Sequence, residues 1–183
     1  MFLKEIIVVV MLLSTPSVFA SDFSYTTASV VYNTGELDGV DLSGSTFEGS
    51  VAIASHFFIP GYYQQLEADD FNADADRLSL GLGMHFSLTE TIDLVSAISY
   101  QANELVGEDL NGFELYLGFR SRSSEKIEWG AQWIYEDLDD DNGSDVGMSL
   151  SARFLVTDTI SIGISHRAVN ELNLTNIAFS LGF

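Results

Sequence analysis

Apolar and polar residues alternate one for one through most of the chain, and a period of two predicts β-strands. Leu78, Leu80, Leu82, Met84 and Phe86 share one face, while Ser79, Gly81, Gly83 and His85 share the other. The same pattern runs through Phe113, Leu115, Leu117 and Phe119, then through Ile127, Trp129, Ala131, Trp133 and Tyr135. It returns in Val146, Met148, Leu150, Ala152 and Phe154, in Ile160, Ile162 and Ile164, and finally in Ile177, Phe179, Leu181 and Phe183. Weaker alternation covers residues 24–33, 46–54, 57–65 and 92–102, which makes ten strands in all.

The first twenty residues follow a different rule. Lys4 gives a positive start, Ile6 to Leu13 form an unbroken apolar run, and Val18-Phe19-Ala20 supplies a small-x-Ala cleavage pattern. Residues 1–20 are therefore expected to be a cleaved signal peptide, leaving 21–183 as a single exported domain. An eight-residue run is far short of the roughly 20 apolar residues of a spanning helix. With no cysteine in the chain, a lipoprotein anchor is excluded too.

Alternation alone fits a soluble sandwich or a membrane barrel, and three features choose the barrel. The apolar face carries no Lys, Arg, Asp or Glu in any of the ten strands, whereas the other face is rich in Gly and Ser and holds Arg77, Arg120, Arg122, Arg153 and Arg167. A lipid-facing Arg or Lys would cost about 2–4 kcal/mol at the membrane midplane, while a lumen tolerates charge. Second, the connections alternate. Those near His56, at 87–91, 123–126 and 156–159 are short, and those at 34–44, 67–76, 103–111, 136–145 and 169–173 are mostly longer and hold eighteen of the 27 acids. Alternate connections of an up-and-down barrel share a rim, so one end is acidic. Short periplasmic turns and longer outer loops are the outer-membrane pattern. Third, Tyr32, Tyr63, Tyr100 and Tyr135 fall toward the acidic rim and Phe57, Phe86, Phe154 and Phe183 toward the other, as two interfacial girdles would. The expectation is an all-β, closed, antiparallel transmembrane barrel of ten strands, with eight as the alternative if weak strands merge, and with both termini in the periplasm.

Charge and composition narrow the function. Seven basic against 27 acidic residues give a net charge of −20, which would repel phosphate and excludes a nucleic-acid partner. The absence of cysteine excludes disulfide scaffolds, zinc-thiolate sites and thiol nucleophiles.

The ending Ile177-x-Phe179-x-Leu181-x-Phe183, with phenylalanine last, resembles the C-terminal signal of bacterial outer-membrane barrels. With the signal peptide and the alternation, the chain resembles the small outer-membrane β-barrel family that includes the OmpA transmembrane domain and OmpX. That resemblance implies a bacterial outer-membrane location and recognition of Ile177, Phe179, Leu181 and Phe183 by the barrel assembly machinery. Outer-membrane lipid, lipopolysaccharide and periplasmic chaperones are the other expected partners.

Inward-facing charge forms the candidate site. Arg120, Arg122, Glu128 and Arg153 lie near the short-turn end of three consecutive strands, and Glu128 is expected to bridge arginines of both neighbours. Glu48, Arg77, Glu114, Glu136 and Arg167 are expected as a second group near the acidic rim. They read as packing and mutual neutralisation, or as a charged constriction that selects ions. Asp137, Asp139, Asp140, Asp141 and Asp145, beside Asn142 and Gly143, offer a loose divalent-cation loop or simply a solvated charge run; the EF-hand spacing fails. His85 and Asp93 are expected to face each other without a nucleophile to serve. The expected function is non-enzymatic and cofactor-free: a structural or surface-interaction barrel with acidic extracellular loops. A narrow cation-preferring pore is the alternative, and a loop-based adhesin a third possibility.

Overall fold

The computed structural model describes residues 23–68, 74–105, 108–138 and 143–183. The expected signal peptide and Asp139, Asp140 and Asp141 lie outside these residues. Ten strands run in chain order: β1 (Thr27–Leu37), β2 (Val40–Ala52), β3 (Phe57–Ala68), β4 (Asp74–Thr89), β5 (Ile92–Leu105), β6 (Glu108–Ser124), β7 (Ile127–Leu138), β8 (Ser144–Leu155), β9 (Ile160–Val169) and β10 (Leu172–Gly182). Each pairs antiparallel with its sequence neighbours, and β1 pairs with β10 from Thr27↔Gly182 to Leu37↔Leu172, so the sheet closes on itself. The barrel has ten strands, not the alternative eight.

The alternation is sorted by this closure. Val30, Leu80, Leu82, Ile98, Leu117, Trp133, Leu150, Ile164 and Phe179 all lie on the outer surface and are at least half exposed. A water-soluble domain buries such side chains; a barrel in lipid turns them outward. The eight expected girdle aromatics are outside as well, with Tyr100 edge-on to Phe113 at 5.7 Å. Hydroxyl, amide and charged residues face the lumen, among them the buried Asn33, Thr46, Gln64, Ser99, Gln101 and Glu114.

The connections differ from the sequence expectation. Residues 34–44 and 169–173 were expected to be loops at the acidic end, but β1 runs on to Leu37 and turns through Asp38-Gly39, and β9 and β10 join through Asn170-Glu171. The reason is local. Asp38 and Gly39 both adopt positive φ, 49° and 79°, as the two-residue hairpin turn that follows strand twist requires, and Asp-Gly suits it. The strands therefore continue past the apolar belt with polar residues such as Thr34, Glu36, Asp41 and Asn173 on the outer face, and the asymmetry between the ends lies in charge rather than in loop length.

Outward and inward positions should respond oppositely to charge. Leu150→Arg, in the middle of β8 on the outer face, is expected to lower stability in lipid vesicles by about 2–4 kcal/mol. Ser149→Lys, its lumen-facing neighbour, should cost clearly less. Urea unfolding followed by tryptophan fluorescence measures both, and equal losses would contradict the assignment of the faces.

Candidate functional site: the lumen

Two ionic clusters cross the lumen at different heights. In the lower one, toward the short turns, Arg122 of β6 and Arg153 of β8 each stand opposite Glu128 of β7 in the strand register. Glu128 Oε1 accepts from Arg122 Nη2 at 2.6 Å and Oε2 from Arg120 Nη2 at 3.0 Å. The Arg153 Nη1 atom stands 3.9 Å from Oε2. One carboxylate thus answers three guanidinium groups and bridges both neighbouring strands. Cross-strand pairs of opposite charge add modestly to a sheet, but here they also span its inside.

The upper cluster solves a different problem. Glu114 of β6 and Glu136 of β7 are direct cross-strand partners, and like charges in that relation repel. Arg167 reaches in from β9 and donates to both, to Glu114 Oε2 at 2.6 Å and to Glu136 Oε1 at 2.5 Å. Arg77 reaches in from β4, 2.9 Å from the same Glu136 oxygen. Gln101 of β5, with no exposed surface, accepts from Arg77 at 2.9 Å and donates to Glu114 at 3.0 Å. The network ties five strands together across the lumen. Glu48, expected in this group, is not part of it: it lies beside Ser29 and Arg153, on the wall between the clusters, because its β2 position pairs with Ser29 and Tyr62 rather than with rim residues.

Between the clusters lies a chamber of about 360 Å³, bordered by Glu48, Gln64, Ser99, Gln132, Ser151 and Arg153 among others. Its neutral side chains largely bond one another, as Asn33 does to Thr46 at 2.9 Å and Asn176 to Ser165 at 3.1 Å. Two apolar groups that the alternation does not announce close in on it. At the acidic end Leu42, Leu66 and Leu174 point inward and pack with Leu37, Ala75 and Leu172. At the short-turn end Phe23 and Tyr25, which precede β1, enter the barrel and pack with Phe58 and Val95. Gly83 makes room for this: a Cβ there would lie only 2.3 Å from the Phe58 ring. Alternation alone places residues 24–26 in a strand and does not single out Leu42, Leu66, Phe58 and Leu174. The available signal was their parity, since each is a large apolar residue on the polar face.

His85 and Asp93 are diagonal rather than opposed, His85 pairing with Val95 and Asp93 with Ser87. Their nearest atoms are 3.6 Å apart, beyond hydrogen-bond reach. Asp93 Oδ2 instead accepts from the Tyr25 hydroxyl at 2.8 Å. In the acidic loop, Asp137 pairs with Ser144 and Asp145 with Glu136, and among the described residues no three metal-ligating side chains converge. Ile177, Phe179, Leu181 and Phe183 line the outer surface of β10 at the barrel seam.

No protein-family model matches the sequence, and no curated protein matches it. Among solved structures, the KdgM porin in complex with disordered oligogalacturonate is similar, with a TM-score of 0.51 at 10% identity, covering 85% of this chain and 99% of that one. The fold is that of outer-membrane β-barrel porins. The NanC porin has a TM-score of 0.45 at 8% identity, covering 86% of this chain and 98% of its own. The translocator domain of the autotransporter NalP from Neisseria meningitidis has 0.46 at 12%, covering 98% and 93%.

Removing Glu128 leaves three arginines facing one another in a confined space. Glu128→Ala is expected to cost about 2–3 kcal/mol, toward the lower end for a broken buried pair because the arginines keep some access to water. Lys126→Ala, in the adjoining turn, should stay within about 0.5 kcal/mol. Denaturant titration of the refolded proteins measures both, and matching losses would remove the bridging role.

Proposed function

We propose that the chain is a small outer-membrane barrel that forms a narrow, cation-preferring pore for ions or small solutes. The observation that carries this reading is the chamber of about 360 Å³ inside the barrel, with Glu48, Gln64, Ser99, Gln132 and Arg153 on its wall. Eight-stranded barrels are filled by their own side chains, and ten strands add the room seen here. Inside, Arg77, Arg120, Arg122, Arg153 and Arg167 stand among Glu48, Asp93, Glu114, Glu128 and Glu136, with Asp145 opposite Glu136 toward the acidic end, so most of the wall charge is paired. The bias then comes from the acids gathered at one end, within a chain of net charge −20, which raise the local cation concentration. The KdgM porin was solved with an oligogalacturonate, a polyanion. The acidic end of this barrel would repel such a chain, so the solutes we propose are cations and small neutral polar molecules.

In the same reading, residues 1–20 direct export and the acidic end faces outward, beside lipopolysaccharide whose phosphates divalent cations could bridge to it. The assembly machinery reads the terminal Phe pattern, and periplasmic chaperones carry the unfolded chain. No catalysis is proposed: Asp93, which lies near His85, is engaged by Tyr25. In this reading the kinship with the OmpA transmembrane domain and OmpX is one of general architecture, since those barrels have eight strands and this one has ten.

A second reading, a structural or surface-interaction barrel, is favoured by one observation: apolar side chains narrow the lumen at both ends.

Planar-bilayer recordings decide between them. The refolded protein is expected to give small cation-selective steps, and Glu48→Gln, which removes a charge from the chamber wall, to lower the cation-to-anion permeability ratio. Silence from inserted, folded barrels, both unaltered and carrying Arg167→Ala in the upper cluster, would overturn the pore and leave the structural reading.

A further inference from the structure

The segment ahead of β1 is built differently from the rest of the barrel. From Thr27 onward the chain belongs to the ladder, paired on one side with β10 and on the other with β2. Phe23, Ser24 and Tyr25 lie ahead of both ladders inside the short-turn mouth, where the Ser50 hydroxyl of β2 donates to the Tyr25 carbonyl at 2.7 Å and the Ser24 hydroxyl donates to the Phe183 carbonyl at 2.9 Å. Tyr25 stacks on His85 with ring centroids 3.8 Å apart and planes 12° from parallel, and lies 5.1 Å from the Phe58 ring. Its hydroxyl donates to Asp93, itself 1% exposed. The Arg120 guanidinium sits 4.9 Å from the Phe23 ring centre and 5.0 Å from that of Tyr25, and Arg122 sits 5.1 Å from Phe23. Arg120 Nη1 also donates to the Ser24 carbonyl at 3.1 Å.

These contacts give the segment a distinct energetic character. The stack, the phenol-carboxylate bond, the cation–π contacts and the bonds at Ser24 and Tyr25 are each worth on the order of 1 kcal/mol, and the arginines, carboxylate and carbonyls regain water on withdrawal, so the segment is held by local contacts rather than by the ladder. Withdrawal breaks no ladder bond, because the β1–β10 and β1–β2 pairings begin at Thr27. The position matters as much as the strength. Ser24 and Tyr25 border the central chamber on its short-turn side, and a smaller cavity of about 90 Å³ runs past Ser24 to the turn at Asp158 and Thr159. The segment is therefore the floor of the chamber on that side.

We propose that Phe23–Tyr25 is a plug that shuts the short-turn end of the lumen, and that its withdrawal opens the chamber to the periplasm. This rests on the pore reading and adds to it a gate made from the chain's own leading segment. The lower arginines thereby gain a second role. Arg120 divides its donors between Glu128 and the plug, so the ionic cluster that braces the wall also holds the gate shut.

The test uses two opposite manipulations in planar bilayers, with folding verified by β-sheet circular dichroism and protection from protease. Phe23→Ala combined with Tyr25→Ala removes the plug's rings and should raise open probability about tenfold or more, the change expected from losing roughly 1.4 kcal/mol or more of closed-state preference. Ser24→Cys combined with Gly182→Cys locks it. The Cβ positions at these residues are 3.4 Å apart, about the separation a disulfide needs, and no native cysteine competes. Oxidation should abolish openings and reduction should restore them. Unchanged gating in the double-alanine protein, or openings that persist in the oxidised one, would overturn the plug. If Arg167→Ala still conducts in that case, the pore reading stands without it; if no folded variant conducts, the pore reading itself fails.

Discussion

No backbone amide can be left unpaired in hydrocarbon, and a sheet meets that condition only by having no edge. The seam between β1 and β10 is where this chain meets it, eleven register pairs long from Thr27↔Gly182 to Leu37↔Leu172. Everything else follows from that closure. Because side chains alternate across a strand, closing the sheet sends every second residue to lipid and the rest to a narrow interior. A slip of one residue at the seam would reverse that assignment for a whole strand. Phe183 contributes at this point twice, lying on the outer surface while its amide donates to the Thr26 carbonyl at 2.9 Å.

Closure creates an interior that must hold its own charges. Glu114 beside Glu136 would repel if left alone, and three arginines around Glu128 are more cation than one carboxylate balances. The structure resolves the first by bringing Arg77 and Arg167 across the lumen, and relieves the second with the rings of Phe23 and Tyr25 and the Ser24 carbonyl. The two clusters are therefore not equivalent. The upper is built from side chains of the barrel wall, whereas the lower is joined by a segment that is not part of the wall. Between them the neutral side chains keep open a polar space that neither cluster fills.

Most of this architecture is legible in the sequence because lipid imposes one rule at every outer position. Runs such as Leu78 to Phe86 and Ile127 to Tyr135 announce strand, face and phase together. The bridging position of Glu128 follows from register alone, since Arg122, Glu128 and Arg153 occupy facing positions on adjacent strands. Glu48 was misplaced because contacts across the lumen depend on strand stagger around the whole barrel, which local alternation does not encode. The turn at Asp38-Gly39 looks like part of a loop because past the apolar belt the apolar and polar faces exchange sides, with Glu36 and Asp41 outside and Leu37 and Leu42 inside. Phe23 and Tyr25 were hidden for the opposite reason: their spacing continues the alternation of β1 although they leave the wall.

The central claim is that the apolar face meets lipid and the polar face meets a water-filled chamber. A chain without cysteine allows this to be measured position by position. Single cysteines at Ser99, Ser151 and Ser165, and at their outward neighbours Ile98, Leu150 and Ile164, would carry an environment-sensitive fluorophore in lipid vesicles. The account predicts that the outward set is quenched by labelled lipid and the inward set only by small water-soluble quenchers. Quenching of the inward set by lipid, with the outward set reporting water, would contradict it.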